Sequence, residues 1–255
     1  MRRVNVGAAL VALVGAVAMT ACGSPKVRTG VTPDVQMSEA LALFHRGKFE
    51  DALTGFRRIV FELQPGDPAL AEARYYSAEC QFQEGLLVEA AHAFRDVADQ
   101  SPESPFAPLA LLRAGDANLR TWRDPELDPT PGQTALAIYQ ELVGRYPGTE
   151  AASRAQIRVQ ELNNEFAAKA YQNGLFYLKN RKAYDSGIIY FKDVIANYPD
   201  SKYVAPALLR LAETYAIIGY GDELKEVCGT LRRFHPAEAA SARSCPPDST
   251  TSAAH

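Results

Sequence analysis

Five stretches of the chain share one spacing of small, aromatic and aliphatic residues, and each stretch ends at a proline. In the second stretch Ala90 is followed by Phe94 and Val97, and then by Pro102. Steps of four and then three residues place these side chains on one face of a helix. Proline cannot continue a helix and favours extended geometry in the residue before it. Each stretch therefore predicts an amphipathic helix. The five closing prolines are Pro65, Pro102, Pro147, Pro199 and Pro236.

A second kind of helix is predicted between each closing proline and the next stretch. After Pro102 and Pro199 the chain has a short polar turn and then Ala-Leu-Leu-Arg at matching positions, and the segments after Pro147 and, more loosely, Pro65 fit the same frame. Paired helices of about 34 residues that close at a proline resemble the tetratricopeptide repeat. Five copies in one register over residues 33–236 favour this fold over an unrelated helical bundle. We predict an all-α tetratricopeptide-repeat superhelix of about five helix pairs.

Two segments depart from the simple repeat. Residues 123–132 contain three prolines and a glycine, which predicts an extended loop inside the third pair. Residues 150–180 contain no proline and predict one long helix of about 45 Å between repeats three and four. We therefore expect an N-terminal block of repeats 1–3 over residues 33–149. A C-terminal block of the long helix and repeats 4–5 would occupy residues 150–236.

The first residues predict a secretory signal. Arg2 and Arg3 precede an almost wholly apolar run over residues 4–18, which is too short to span a membrane as a helix. The small residues before Cys22 resemble a bacterial lipobox, so residues 1–21 are expected to be a lipoprotein signal peptide and Cys22 the acylated residue. Ordinary secretory cleavage with an incidental cysteine is the alternative. Gly23 is compatible with sorting to the outer membrane.

The ends of the mature chain are predicted to be unstructured. Residues 22–32 form a polar tether, and residues 237–255 are rich in Ala, Ser, Pro and Thr without apolar periodicity. An exported protein can form disulfides, and Cys228 could pair with Cys245 to hold the tail, although sequence does not determine connectivity. Cys80 lies inside a helical pattern, which is typical of a small buried apolar side chain.

A metal site is not predicted. Asp124, Glu126 and Asp128 resemble the start of a calcium-binding loop. However, Pro129 occupies the position that requires glycine, and Ala135 stands in place of the bidentate glutamate. A solvated acidic loop is therefore the favoured interpretation, and no cofactor is expected.

Neither catalysis nor nucleic-acid binding is indicated. The formal net charge is −3, which provides no basic footprint for nucleic acid. The four histidines are scattered without metal-ligand spacing. Cys80 could be a nucleophile, but the nearest histidine in the same repeat, His92, is on the opposite helix, which favours a structural thiol. We expect a protein that is not an enzyme.

The first helices of the repeats are expected to line a concave face that binds an extended or helical peptide. Aromatic anchors with a few charges suit such a groove. Tyr75 and Phe82 could instead only pack neighbouring repeats, because both roles use one helix face. The predicted groove residues are Phe44, His45, Tyr75, Glu79, Phe82, Asp116, Leu119 and Arg120.

The combination of features resembles the BamD family of lipoproteins, which belong to the β-barrel assembly (BAM) complex. It comprises the lipobox, five repeats, junctions such as Tyr146-Pro147 and Tyr198-Pro199, the proline-rich loop and the long helix. The resemblance covers nearly the whole mature chain. It implies a lipid anchor at the periplasmic face of the outer membrane and N-terminal repeats that receive unfolded outer-membrane proteins.

The same resemblance implies that the C-terminal repeats bind the periplasmic domains of the barrel insertase BamA, alongside other BAM lipoproteins. Carried over to this sequence, that contact falls on Tyr203, Arg210 and Tyr220. The departures are Met19, which is unusual at the first lipobox position, and a tail that carries Cys245.

Two other functions need consideration. A tetratricopeptide scaffold of the Tol-Pal or cell-division type normally has an N-terminal coiled coil, and no heptads precede Pro33. A peptidoglycan-active or enzyme-accessory lipoprotein would need a catalytic carboxylate or an appended domain, and neither is visible in the sequence.

Overall fold

The computed structural model describes residues 32–122 and 128–245. The predicted signal peptide, Cys22 and nearly all of the tether lie outside the described residues. Within them the chain forms eleven α-helices and one π-helical turn. In chain order these are α1 Pro33–His45, α2 Phe49–Glu62, α3 Pro68–Gln83, α4 Leu87–Gln100, α5 Phe106–Thr121, α6 Thr130–Arg145, α7 Glu150–Phe176, the π-turn Tyr177–Arg181, α8 Tyr184–Asn197, α9 Val204–Ile218, α10 Gly221–Phe234 and α11 Pro236–Ser241.

The helices stack as five antiparallel pairs, which confirms the predicted fold. Each helix from α2 to α10 packs against the helices before and after it in the chain. The first helices of the first four pairs also touch in succession, α1 with α3, α3 with α5, and α5 with α7. In a curved stack, the elements on the inner face approach one another most closely. The first helix of each pair therefore lies on the concave side.

The predicted small–aromatic–aliphatic stripes form the core. In α4 the stripe residues Ala90, Phe94 and Val97 are all 0% exposed. Corresponding residues in α2 and α6, such as Phe56 and Tyr139, are also fully buried. Burying one such aromatic side chain contributes about 1.5–3 kcal/mol. The stripes therefore hold each pair together.

The predicted long helix is present as α7 and continues into the π-turn. The side chain of Thr149 accepts a hydrogen bond from the amide of Ala152 and caps its start. One apolar cluster extends from repeat two to Phe166, and the next begins at Ala167. Helix α7 therefore serves as the first helix of pair four. The change from one core to the other lies inside it, not at residue 149, where the block boundary was predicted.

In the turn between α7 and α8, a lysine has the backbone conformation that glycine has in the equivalent turns of three other helix pairs. Gly47, Gly85 and Gly219 have positive φ two residues before the second helix of their pairs. Lys182 holds the equivalent position with φ of 49°. A side chain in this left-handed region is strained by the clash of its Cβ with the backbone, whereas glycine is not.

We expect Lys182→Gly to raise the free energy of unfolding by about 0.5–1 kcal/mol, because it removes this clash. Urea unfolding followed by circular dichroism measures the change. Lys179→Gly is the matched control, because Lys179 lies in the helical π-turn, where glycine is expected to cost about 1 kcal/mol. A loss of stability in Lys182→Gly would show that the lysine side chain makes a compensating contact.

The end of the chain corrects the prediction of a disordered tail from residue 237. Helix α11 begins at Pro236, and a disulfide joins Cys228 to Cys245, whose Cα atoms lie 5.5 Å apart. Ala239 and Cys245 pack against a cluster that includes Leu231. The tail is ordered this far because it covers the apolar end of the last pair, as terminal repeats do in stacked folds. Residues 246–255 lie outside the described residues.

Candidate functional site

The centre of the concave face is a buried charge network between α3 and α5. Glu79 is only 6% exposed, and its carboxylate faces the guanidinium of Arg113. Nη2 of Arg113 donates to Oε2 of Glu79 at 2.7 Å, and Nε donates to Oε1. The hydroxyl of Tyr75 donates to the same Oε1 at 3.0 Å. A two-pronged pair of this kind fixes the relative position of the two helices.

A second carboxylate extends the network towards α6. Nη1 of Arg113 lies 3.3 Å from Oδ2 of Asp116, and the hydroxyl of Tyr139 donates to Oδ1 at 2.8 Å. Burial, and then the neighbouring carboxylates, raise the pKa of both Tyr75 and Tyr139 well above the ordinary value. Both hydroxyls therefore remain protonated and act as donors. Of these five residues, only Tyr75, Glu79 and Asp116 were predicted from the sequence.

Phe82 forms the floor of the site and is not an open surface. Phe82 is 6% exposed, and the guanidinium carbons of Arg113 and Arg120 lie 4.0 and 4.5 Å from the centroid of its ring. Arg120 also donates to the backbone carbonyl of Phe82 at 3.3 Å. Among the residues that the structure describes, no carboxylate pairs with Arg120, which is exposed. Leu119 is half-buried beside it and packs on the same core.

The two predicted groove residues of the first pair stand apart from this network. Phe44 packs its ring edge-on against Phe49 and Tyr76, with centroids 5.5 and 5.4 Å away, and so belongs to the core of the first pair. His45 is exposed at the last residue of α1. Tyr76 contacts Tyr75 at 5.4 Å between ring centroids, and this contact connects the two regions.

The concave face carries a repeated charge pair that the sequence reasoning did not use. Arg113 and Asp116 of α5 recur as Arg158 and Glu161 of α7, whose charged atoms lie 2.9 Å apart. They recur again in α9, where the arginine is Arg210 and the pair distance is 2.6 Å. The signal was available, because an arginine followed three residues later by an acid occurs in the same repeat frame each time.

The three predicted BamA-contact residues do not form one cluster around α9. Arg210 approaches the hydroxyl of Tyr171 at 3.4 Å, and the ring of Tyr171 lies 5.6 Å from that of Tyr203. Tyr203 and Arg210 therefore share one half-buried cluster. Tyr220 is 48% exposed beyond the other end of α9, stacked on Tyr215. The structure does not bring it near the other two.

The remaining candidates from the sequence are the thiol of Cys80 and a possible metal site. Cys80 is buried, and burial raises the pKa of its thiol to about 12, so the reactive thiolate is scarce. Over residues 32–122 and 128–245, no group of three potential ligands is placed to hold a metal ion. No helix in that part of the chain has both the length and the apolar character needed to cross a bilayer.

Comparisons with known proteins give one family. Residues 32–229 match the profile of the YfiO family, described as "Outer membrane lipoprotein". The chain is 32% identical over 137 residues to the outer membrane protein assembly factor BamD of Caulobacter vibrioides, a match that covers 54% of this chain and 45% of that protein. It is 23% identical over 199 residues to BamD of Rickettsia prowazekii, covering 78% of both. The chain thus spans under half of the first relative's length.

The solved structures that the chain resembles include tetratricopeptide proteins. A thermophilic member from Thermus thermophilus covers 83% of this chain and 98% of its own, with 22% identity and a TM-score of 0.38. The TPR2AB domain of yeast Sti1 covers 83% of both chains, with 14% identity and a TM-score of 0.43.

Proposed function

The chain belongs to the YfiO family of outer-membrane lipoproteins, and from this membership we propose that it is a lipid-anchored, non-catalytic scaffold for outer-membrane protein assembly. The family match over residues 32–229 is the observation that carries the proposal. The curated relatives bear the name of an assembly factor. Acylated Cys22 would hold the protein at the periplasmic face of the outer membrane.

Within this proposal the two predicted blocks have different partners. The concave face of residues 33–149 receives unfolded outer-membrane proteins, and residues 150–236 contact the periplasmic domains of BamA and other BAM lipoproteins. The charge network supports the first role, because it makes the floor of the face rigid. The second role is supported by a half-buried cluster of two tyrosines and an arginine, Tyr171, Tyr203 and Arg210. Tyrosine and arginine are enriched at protein–protein interfaces.

The client-binding chemistry centres on Arg120. The carboxylates Glu79 and Asp116 already satisfy Arg113, whereas Arg120 presents its guanidinium to solvent beside an aromatic ring. An exposed guanidinium can donate to backbone carbonyls or to a carboxylate of an extended client. The lipid tether would keep the client close to the insertase and raise its effective concentration there.

We expect Arg120→Glu to weaken the binding of a urea-unfolded outer-membrane β-barrel protein by roughly tenfold, the size of one lost charged contact of about 1.5 kcal/mol. Fluorescence anisotropy of the labelled client measures it. Arg120→Glu also removes the contacts of Arg120 with Phe82, so a small decrease in melting temperature is expected, and circular dichroism checks that the variant is folded at the assay temperature. Arg57→Glu, which reverses an exposed charge on α2 outside the concave face, is the control. Equal losses in both variants, or none in Arg120→Glu, would contradict the proposed client site.

A further inference from the structure

The turn between α7 and α8 is a concentrated patch of positive charge on an acidic protein. Lys179, Arg181 and Lys182 lie within four residues, no acidic residue occurs in residues 176–184, and the whole chain has a net charge of −3. All three side chains are exposed. In the part of the chain that the structure describes, none of the three pairs with a carboxylate. The patch is therefore available to an anionic partner.

Exposed aromatic surface accompanies these charges. The ring of Phe176 is 48% exposed, and the guanidinium carbon of Arg181 lies 6.0 Å from its centroid. Tyr177 packs edge-on against Phe176 and stacks on Tyr190 at 5.5 Å. Tyrosine, lysine and arginine are favoured at a membrane–water interface, because each has an apolar part and a polar tip. An exposed phenylalanine adds apolar surface that can enter the boundary of the bilayer.

The backbone supplies an independent observation. Lys182 holds the left-handed conformation that Gly47, Gly85 and Gly219 hold in the sister turns. Backbone strain at Lys182, which glycine avoids at the equivalent positions of three other repeats, indicates that the lysine side chain has a function. A lysine at this position adds a third charge at the tip of the hairpin, where glycine would relieve the strain and add none.

We propose that this turn, defined by Phe176, Lys179, Arg181 and Lys182, binds the anionic phospholipid headgroups of the membrane that holds the anchor. The inference rests on the lipid-anchoring part of the proposed function. The eleven residues 22–32 connect an anchor at Cys22 to α1 and can span at most about 40 Å, so the folded chain stays near the leaflet. A second contact at the α7–α8 turn fixes its orientation, as a basic patch does beside a single lipid anchor.

The experiment uses the full-length acylated protein reconstituted into vesicles. Trp122→Phe with Phe176→Trp makes the turn the site of the only tryptophan. Brominated lipids then quench its fluorescence only where it meets the bilayer. Vesicles of phosphatidylcholine alone are compared with vesicles that contain phosphatidylglycerol. We expect quenching only with the anionic lipid, and its loss in 0.5 M salt, where charges are screened within about 4 Å.

Charge removal at the turn tests the same contact. Each basic side chain near an anionic leaflet strengthens attachment about fivefold, the equivalent of about 1 kcal/mol. Lys179→Gln with Arg181→Gln and Lys182→Gly should therefore lower the contact equilibrium by more than tenfold and remove the quenching. Arg57→Gln with Arg154→Gln and Arg233→Gln removes the same net charge from other exposed sites and should leave the quenching intact.

The possible outcomes distinguish a failure of this inference from a failure of the proposed lipid anchor on which it rests. A chain that does not float with the vesicles overturns the anchor and the inference together. A chain that floats without quenching in anionic vesicles overturns the inference alone and leaves an acidic protein as the partner for these cations. Equal quenching in neutral vesicles, or equal loss in the control triple variant, also overturns it, because the contact would not depend on these charges.

Discussion

Replacing Arg113 with alanine is expected to lower the free energy of unfolding by about 3 kcal/mol. The carboxylate of Glu79, whose side chain is only 8% exposed, would lose its cation and retain only the hydroxyl of Tyr75. Asp116 would lose the same partner, and Phe82 the guanidinium that covers its ring. Breaking a buried ion pair on one side costs more than the pair itself contributes, because a charge remains buried without compensation.

A matched control lies one repeat away. Arg158→Ala removes the arginine at the same repeat position of α7, where the side chains of Arg158 and Glu161 are 48% and 57% exposed. Water already solvates that pair, so the expected loss is under 1 kcal/mol. Urea unfolding of both variants under the same conditions gives the comparison. Equal losses would contradict the view that burial of the Glu79 network distinguishes α5 from α7.

Gly115→Ala is expected to lower the free energy of unfolding by about 3 kcal/mol through overpacking. A Cβ at residue 115 would lie 2.7 Å from Cζ of Tyr139, well inside van der Waals contact. The ring cannot move aside easily, because Tyr139 is 0% exposed and its hydroxyl donates to Asp116. The close approach of α5 and α6 therefore requires a residue without a side chain at this crossing.

Gly144→Ala, in the neighbouring helix, is expected to change the free energy of unfolding in the opposite direction. Gly144 lies within α6, and a Cβ there would meet nothing within 4 Å. Alanine favours the helix over glycine by about 1 kcal/mol, so this variant should be more stable than the parent. Differential scanning calorimetry of the pair is decisive, since the same substitution is expected to act in opposite directions. A stable Gly115→Ala variant would show that the Tyr139 ring is free to shift.

The fold could be predicted because its determinants are local. The stripe of Ala90, Phe94 and Val97 is buried as the spacing requires, and the helices end near their prolines. The long α7 also followed from composition, because an uninterrupted run without proline favours helix. These features depend on residues a few positions apart, so the sequence alone expresses them.

The arrangement of side chains at the centre of the concave face depends on contacts between helices that are far apart in the sequence. The spacing of residues within one helix does not predict such contacts. Glu79 and Arg113 are 34 residues apart, and their pairing depends on how closely α3 and α5 approach on the inner side of the curve. The same curvature lays Arg113 and Arg120 over Phe82, which therefore became a floor and not an open anchor.

Two other features could not be predicted from the sequence pattern either. The composition of the tail indicates disorder, yet the bond from Cys228 to Cys245 and packing on the last pair order it to residue 245. The strain at Lys182 appears only when its backbone is compared with that of the glycine turns. Both depend on the position of the chain in three dimensions.

The central claim, that this protein is an assembly scaffold at the outer membrane, is tested most directly by isolating the tagged full-length protein from detergent-solubilised membranes and identifying its partners by mass spectrometry. We expect stoichiometric recovery of a large β-barrel protein with repeated periplasmic domains. Recovery of Tol components without a barrel protein would contradict the function and leave the fold and the family membership in place.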